Sequence, residues 1–363
     1  MKKIRKLNYK FIIVLILSII IIISVFKVNV IKSVFSNLDV EIHHSKSFDL
    51  KGSKPTKVHA YIDGVVYYSN NKISLSNYSG QEVWSKVIAY ASPLVYMGED
   101  KIYVADSVSG QINTLDTKGE IIWKYNPKYS ISNIGEDDGN LIILSQNLSG
   151  KSRVNIINGN GEIVSNTMLE DGIALTVRVS NKYREYAVVS INFDSENITC
   201  EVSVFDFSGQ LLFIKQFDGE LVYDICFTNR EKLMYISDKS VGHIDKQSMI
   251  WKQGLELEPS CINIDEKKNR IYIVNKNELK QIDSNGNTLI NAKLDKEFSK
   301  IYKKDQYVYL IDSNSFLVLD DLGEIKTKYK HNSEILNFEL VKDNIILLSG
   351  NKCTILEYKY VEK

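Results

Sequence analysis

The sequence is short of the residues that mark catalytic centres and disulfide scaffolds. Its 363 residues include four cysteines, four prolines and five histidines, and 45 basic residues balance 45 acidic ones. So few prolines leave long stretches free to pair as strands, because proline removes a ladder donor. Cys200, Cys226, Cys261 and Cys353 form no recognised cluster. With 44% hydrophobic residues the chain has core enough without staples. Small core residues are their expected role, although an extracytoplasmic address would permit a bridge.

No HExxH or GxSxG is present, and the histidines are scattered apart from His43-His44. Gly150-Lys151-Ser152 ends like a phosphate-binding loop, but Ser145 stands where the leading glycine belongs and no helix is expected to follow. Asp283-Ser284-Asn285-Gly286-Asn287 has the oxygen spacing of a calcium-loop opening without the later bidentate glutamate, and turn chemistry explains it. No catalytic residue, metal ligand or cofactor is therefore expected, and the chain is not expected to be an enzyme.

Charge is unevenly placed. Seven basic residues and no acid fall before Ser33, which leaves 38 basic residues against 45 acidic ones in the remainder. That remainder has no global basic field, so nucleic acid and direct adhesion to anionic lipid are disfavoured.

The first residues are different in kind. Lys2, Lys3, Arg5, Lys6 and Lys10 precede an uncharged run from Phe11 to Phe26 whose only polar residues are Ser18 and Ser24. Such a helix rises about 24 Å, and Val28 to Ile31 lengthen it if Lys27 snorkels, so one membrane span is feasible. The basic flank keeps the N-terminus in the cytoplasm and puts the rest outside. A cleaved signal peptide is the alternative, with Val34-Phe35-Ser36 as its site. The expected layout is a cytoplasmic segment 1–10, a transmembrane helix 11–31, a linker and ring-closing strand 32–56, and a body 57–363.

The body is repetitive. An apolar residue or two, then Asp or Asn, two variable residues and Gly recur as Asn77 to Gly80, Asp116 to Gly119, Asn158 to Gly161, Asp206 to Gly209, Asp283 to Gly286 and Asp320 to Gly323. Asp245 opens a degraded copy without the glycine, and a further step reaches Glu357. The spacings are 39, 42, 48, 39, 38, 37 and 37. The pattern is that of a tight hairpin, with Asp or Asn capping a type I turn and Gly taking the left-handed position. Upstream of each turn lies a β-branched or tyrosine-rich run such as Val65-Val66-Tyr67-Tyr68 or Leu141-Ile142-Ile143-Leu144. Four strands fit each unit of about forty residues, the signature of propeller blades. The expected fold is all-β: a β-propeller of eight four-stranded blades, with seven still open and a two-domain sandwich as runner-up. The last copy ends too soon for an outer strand, so residues from about Asn37 to Ile42 are expected to supply it and close the ring.

These residues resemble the PQQ-like, quinoprotein-type propeller repeats, in which a tryptophan follows four residues after the turn glycine and packs between blades. Trp84 after Gly80 and Trp123 after Gly119 match, and Trp251 is a looser match three residues after Ser248. Ser165, Phe213, Ile290 and Thr327 occupy the position elsewhere, and the turn is one residue shorter than the family's. The chain also looks like single-span propeller proteins of Gram-positive bacteria, known mainly as domains of unknown function. Quinoprotein dehydrogenases, as that resemblance implies, carry a calcium-binding cluster and often adjacent cysteines, and neither is found here.

The expected role is a cell-surface protein-interaction scaffold whose partner is another membrane or cell-envelope protein. A small-molecule or glycan sensor is the alternative. The long spacings arise from segments around Gln146, Asn147 and Lys151 and around Phe193, Asp194, Glu196 and Asn197. In a propeller these loops share a face with the blade connections, opposite the Asp/Asn-Gly turns, and they are the expected partner face.

Overall fold

Runs such as Val65-Val66-Tyr67-Tyr68 are apolar on both strand faces, which is stable only where both faces of a sheet are covered. The computed structural model describes residues 38–51, 57–146, 151–193 and 198–362, and covers those faces by stacking one sheet on the next in a closed ring.

Strand β1 is Leu38–Asp49. Blade 1 follows as β2 (Lys57–Tyr61), β3 (Gly64–Ser69), β4 (Lys72–Ser76) and β5 (Glu82–Val87). Blade 2 is β6 (Pro93–Met97), β7 (Lys101–Asp106), β8 (Ile112–Asp116) and β9 (Ile121–Tyr125). Blade 3 is β10 (Asn133–Asp137), β11 (Asn140–Gln146), β12 (Ser152–Ile157) and β13 (Ile163–Met168). Blade 4 is β14 (Ile173–Ser180), β15 (Glu185–Phe193), β16 (Ile198–Asp206) and β17 (Leu211–Asp218). Blade 5 is β18 (Val222–Asn229), β19 (Lys232–Ser237), β20 (Ser240–Asp245) and β21 (Ser248–Gly254). Blade 6 is β22 (Cys261–Asp265), β23 (Arg270–Asn275), β24 (Glu278–Asp283) and β25 (Thr288–Lys293). Blade 7 is β26 (Lys300–Lys304), β27 (Tyr307–Ile311), β28 (Ser315–Asp320) and β29 (Ile325–Lys330). Blade 8 contains β30 (Asn337–Val341), β31 (Asn344–Ser349) and β32 (Lys352–Glu362), and takes β1 as its outer strand.

The molecule is thus an eight-bladed, four-stranded β-propeller. Its core divides into eight apolar clusters, each spanning neighbouring blades. Burial follows radius. Val65, Val66, Tyr67 and Tyr68 of a second strand are all buried, whereas outer strand β5 alternates between exposed and half-buried residues. All four cysteines are free, and burial raises their thiol pKa values, to about 12 for Cys261 and Cys353, so they are neutral, inert packing groups.

Antiparallel alternation gives the disc two unlike faces. The turns between first and second strands and between third and outer strands share one, here the turn face. The loops between second and third strands and the blade connections share the other, the loop face. On the turn face Asn77 Oδ1 accepts the amides of Ser79 and Gln81 at 2.9 and 3.0 Å, and Gly80 sits at φ +78°. The same double acceptance recurs at Asp116, Asn158, Asp206, Asp283 and Asp320. One residue of the outer strand, such as Val83, Ile122 or Lys326, bulges just after the turn, which lets a five-residue hairpin join strands in register.

Two copies depart from the pattern. At Asp245 the hairpin tightens to two residues, with Lys246 taking positive φ in place of a glycine. Glu357 is not in a turn at all: it lies inside β32, opposite both Asn344 and His43, because the outer strand of this blade is β1 and no hairpin is needed to reach it. That strand runs on to Asp49, well past Ile42. Among the described residues no helix is long and apolar enough to cross a membrane, and residues 11–31 lie outside them.

Candidate functional site

Each blade must be fixed to the next, and the side chains that do so define the sites. At the rim, the tryptophan of one blade lies on the turn of the following blade. Trp84 Nε1 donates to Thr117 O at 3.2 Å, Trp123 to Gly159 O at 3.2 Å and Trp251 to Ser284 O at 2.8 Å. A Cβ on Gly119, Gly161 or Gly286 would come within 3.0 Å of the ring, so these glycines serve the ring as well as their positive φ. Gly80 is covered instead by Phe48 of β1, and Gly323 by Ile290. Phe48 is the ring-closing counterpart of the tryptophans. It escapes sequence reading because no turn glycine precedes it.

Gly209 has only Ser165 and Thr167 against it. Both hydroxyls turn inward to Tyr186 Oη, at 3.1 and 2.5 Å, and a rim cavity of about 370 Å³ opens beside Thr167, Phe205 and Leu211.

At the axis the arrangement reverses. Arg178 of β14 gives Asp224 of β18 two bonds, 2.9 Å from Nε and 2.6 Å from Nη2, and reaches Asp137 of β10 from Nη1 at 3.2 Å. Asp137 also accepts the Val179 amide at 2.5 Å. One guanidinium therefore ties three blades. Burial works against its charge, but Asp224 and Asp137 outweigh that and raise its pKa. Asp137 is raised by burial, with Arg178 opposing. Glu266, in the turn after β22, lies close enough to feel both aspartates. Burial first and Asp137 next push its carboxyl up to about 7.

Around blades 8, 1 and 2 the channel is open. Two cavities of about 460 and 540 Å³ meet at His59, Tyr96 and Met97. His59 Nδ1 lies 3.3 Å from Glu339, and the two side chains are 27% and 22% exposed. Asn337 donates to Val58 O at 2.8 Å, and Tyr61 donates to Gly98 O at 2.9 Å, so the inner strands are pinned together while their polar groups line the opening. Cavities of this size with a few fixed polar groups suit small ligands.

The sequence-predicted partner residues fall partly outside the described residues, namely Asn147, Asp194, Glu196 and Asn197. Gln146, Lys151 and Phe193 lie on the loop face of adjacent blades 3 and 4 and are exposed. β15 and β16 pair from Glu185 opposite Asp206 to Phe193 opposite Ile198; counted from the residue before the turn, they run three pairs further toward the loop face than β3 and β4. Blade 4 accordingly stands about 10 Å proud of blade 1 on this face. Ser152, the last residue of the loop-like motif, begins β12 and accepts the Ala174 amide at 2.9 Å. Asp283 uses its oxygens within its own turn. His43 and His44 are exposed on β1. Among the described residues no group of three or more His, Cys, Asp or Glu side chains is placed to hold a metal ion. Sequence reasoning missed Arg178, whose only local sign is an arginine between Val177 and Val179 in a strand.

The profile described as "Family of unknown function (DUF5711)" matches residues 37–358. No curated protein matches significantly. Among solved structures, BamB from Moraxella catarrhalis is 13% identical with a TM-score of 0.52, over 87% of this chain and 100% of that one. Saccharomyces cerevisiae Sqt1 is 11% identical at TM-score 0.60, over 88% and 99%. The Dos1 propeller is 13% identical at 0.56, over 87% and 95%. At these identities the likeness is one of fold.

Proposed function

We propose that this chain, which belongs to the DUF5711 family, is a membrane-anchored, extracytoplasmic scaffold that holds another membrane or cell-envelope protein on its loop face. One observation carries the reading: the raised hairpin of blade 4, with Phe193 64% exposed at its end. A ring needs blades of one height to stack, so added height on one blade contributes nothing to closure. An exposed aromatic on such a ridge is the kind of anchor that interfaces bury. The anchor itself is the apolar run 11–31, whose basic flank puts the propeller outside.

A photo-crosslinking residue at Phe193 in intact cells is expected to trap one envelope protein, while the same probe at Ser79 on the turn face traps none. Equal or absent adducts at the two positions would refute the loop-face scaffold. Protease added to intact protoplasts is expected to digest the propeller, and protection would refute its external placement.

The open channel supports a second reading, a small-molecule or glycan binder using His59, Glu339 and Tyr96. Under that reading a thermal-shift screen gives a stabilising ligand whose effect His59→Ala abolishes.

A further inference from the structure

We infer that the propeller is held with its turn face toward the bilayer and its loop face, the side of Phe193, turned away from it. The inference rests on the proposed anchoring through residues 11–31, and adds to it an orientation that the fold itself dictates.

The direction of β1 carries the argument. β1 is antiparallel to β32, with Leu38 opposite Glu362 and Asp49 opposite Lys352. Glu357 lies opposite Asn344, the first residue of β31, just as Asp320 lies opposite Tyr307, the first residue of β27. Glu357 therefore marks the level at which the other blades make their turns. Leu38 lies five residue pairs beyond that level on the turn side, and Asp49 lies at the loop side. The ribbon end is fastened there: Val40 and Tyr358 are buried in the cluster between blades 7 and 8 with Tyr307, Phe316 and Phe338.

The tether is short. Seven steps from Ile31 to Leu38 reach about 25 Å at full extension. To bring the loop face to the bilayer, the chain would have to return along the length of β1, whose twelve residues span about 36 Å. The tether cannot do so. It can bring the turn face to the headgroups.

The chemistry of that face sets how it meets the lipid. Ile62 and Leu322 are exposed on it, at 64% and 47%, but they stand among exposed charges of both signs, acidic at Asp63, Asp100 and Glu120 and basic at Lys118, Arg184 and Lys246. Charged turns of either sign cost too much to bury in hydrocarbon, so the face stands beside the bilayer without entering it. Partners then have access from the loop face and the rim.

The test uses the full chain in vesicles of phosphatidylcholine and phosphatidylglycerol containing a lipid with a nitroxide on its headgroup. A fluorophore is attached to one added cysteine at a time, at Ser79, Asn160 or Asn285 on the turn face and at Val108, Glu256 or Ser313 on the loop face. The unsubstituted protein serves as blank, because three of its four cysteines are buried. Quenching is expected to be several-fold stronger at all three turn-face positions than at the loop-face ones. Equal quenching on the two faces, or quenching confined to positions near blade 8 whatever their face, would overturn the orientation while leaving the anchoring intact. Failure of the full chain to float with the vesicles would overturn the anchoring and the orientation together.

Discussion

Blades 1 and 2 are fastened at the rim and open at the axis, whereas blades 3 and 4 are fastened at the axis and open at the rim. In the first joint Trp84 lies on Gly119, and the inner strands, joined by the Tyr61 bond to Gly98 O, line cavities of about 460 and 540 Å³. In the second joint Ser165 and Thr167 replace the tryptophan beside a rim cavity of about 370 Å³, and Arg178 binds Asp137 across the inner strands. A repeat ring needs every joint closed, but closure at one radius suffices. Where the rim carries the joint, the channel is free to hold a ligand. Where the axis carries it, the rim and the raised blade beside it are free to meet a partner.

The joint between blades 8 and 1 has neither a tryptophan nor an arginine clamp, relying on Phe48 over Gly80, the Asn337 bond to Val58 O and the β1 ladder. Its removal is the most drastic way to break the contrast. A chain beginning at residue 51 is expected to lose more than about 4 kcal/mol relative to one beginning at residue 34, since it forfeits the burial of Val40, Phe48 and Leu50 as well as the closing ladder. Urea or thermal unfolding followed by circular dichroism reads this as an earlier and broader transition. An unchanged midpoint would mean that the ring closes without β1.

Trp84→Ala tests the rim device directly. The ring is half-buried, so a loss of about 2 to 3 kcal/mol is expected, against under about 1 kcal/mol for Thr167→Ala at the joint without a wedge. Equal losses would show that rim contacts do not distinguish the joints. The axial device is tested by Arg178→Met, which leaves Asp137 and Asp224 facing each other without their cation. With the arginine side chain 28% exposed, water screens part of that cost, and about 2 kcal/mol is expected. The loss should shrink in Asp137→Asn/Arg178→Met, where one of the stranded charges is gone.

How legible each device was depends on whether its chemistry is local. The turns could be read because an Oδ1 that accepts two nearby amides and a residue at positive φ restrict identities within five positions, as at Asp116 and Gly119. The register of the last blade was less legible. A spacing of 37 carried the count to Glu357, but without a following glycine nothing local separates a turn from a strand running on, and Glu357 lies in β32. The Arg178 clamp was not legible, because its carboxylates lie 41 and 46 residues away on other blades and occupy no shared position in the repeat. Phe48 and the raised hairpin of blade 4 share that difficulty: their meaning comes from the neighbouring blade.

The smallest effect expected at the clamped side is a change in pH dependence. Glu266 lies where burial and the charges of Asp137, Asp224 and Asp138 raise its pKa to about 7 against the pull of Arg178. The folded protein then holds this proton more tightly than the unfolded chain, whose glutamates titrate near their ordinary value. Between those two values the native state binds more protons, so its stability falls as pH rises through about 4.5 to 7. Asp137, raised by burial, contributes in the same sense. Glu266→Gln removes the first contribution and leaves the second, so the urea midpoint of the variant should change less between pH 5 and pH 7.5 than that of the parent, with the two proteins converging at the acid end. The side chain is solvent-accessible at the channel mouth, which keeps the difference modest. Raising the salt concentration should narrow it further, because the repulsion from the aspartates is screened while the burial component persists. Equal pH slopes for the Glu266 variant and its parent would mean that the clamp neutralises its surroundings completely, and that the two sides of the ring differ in geometry alone.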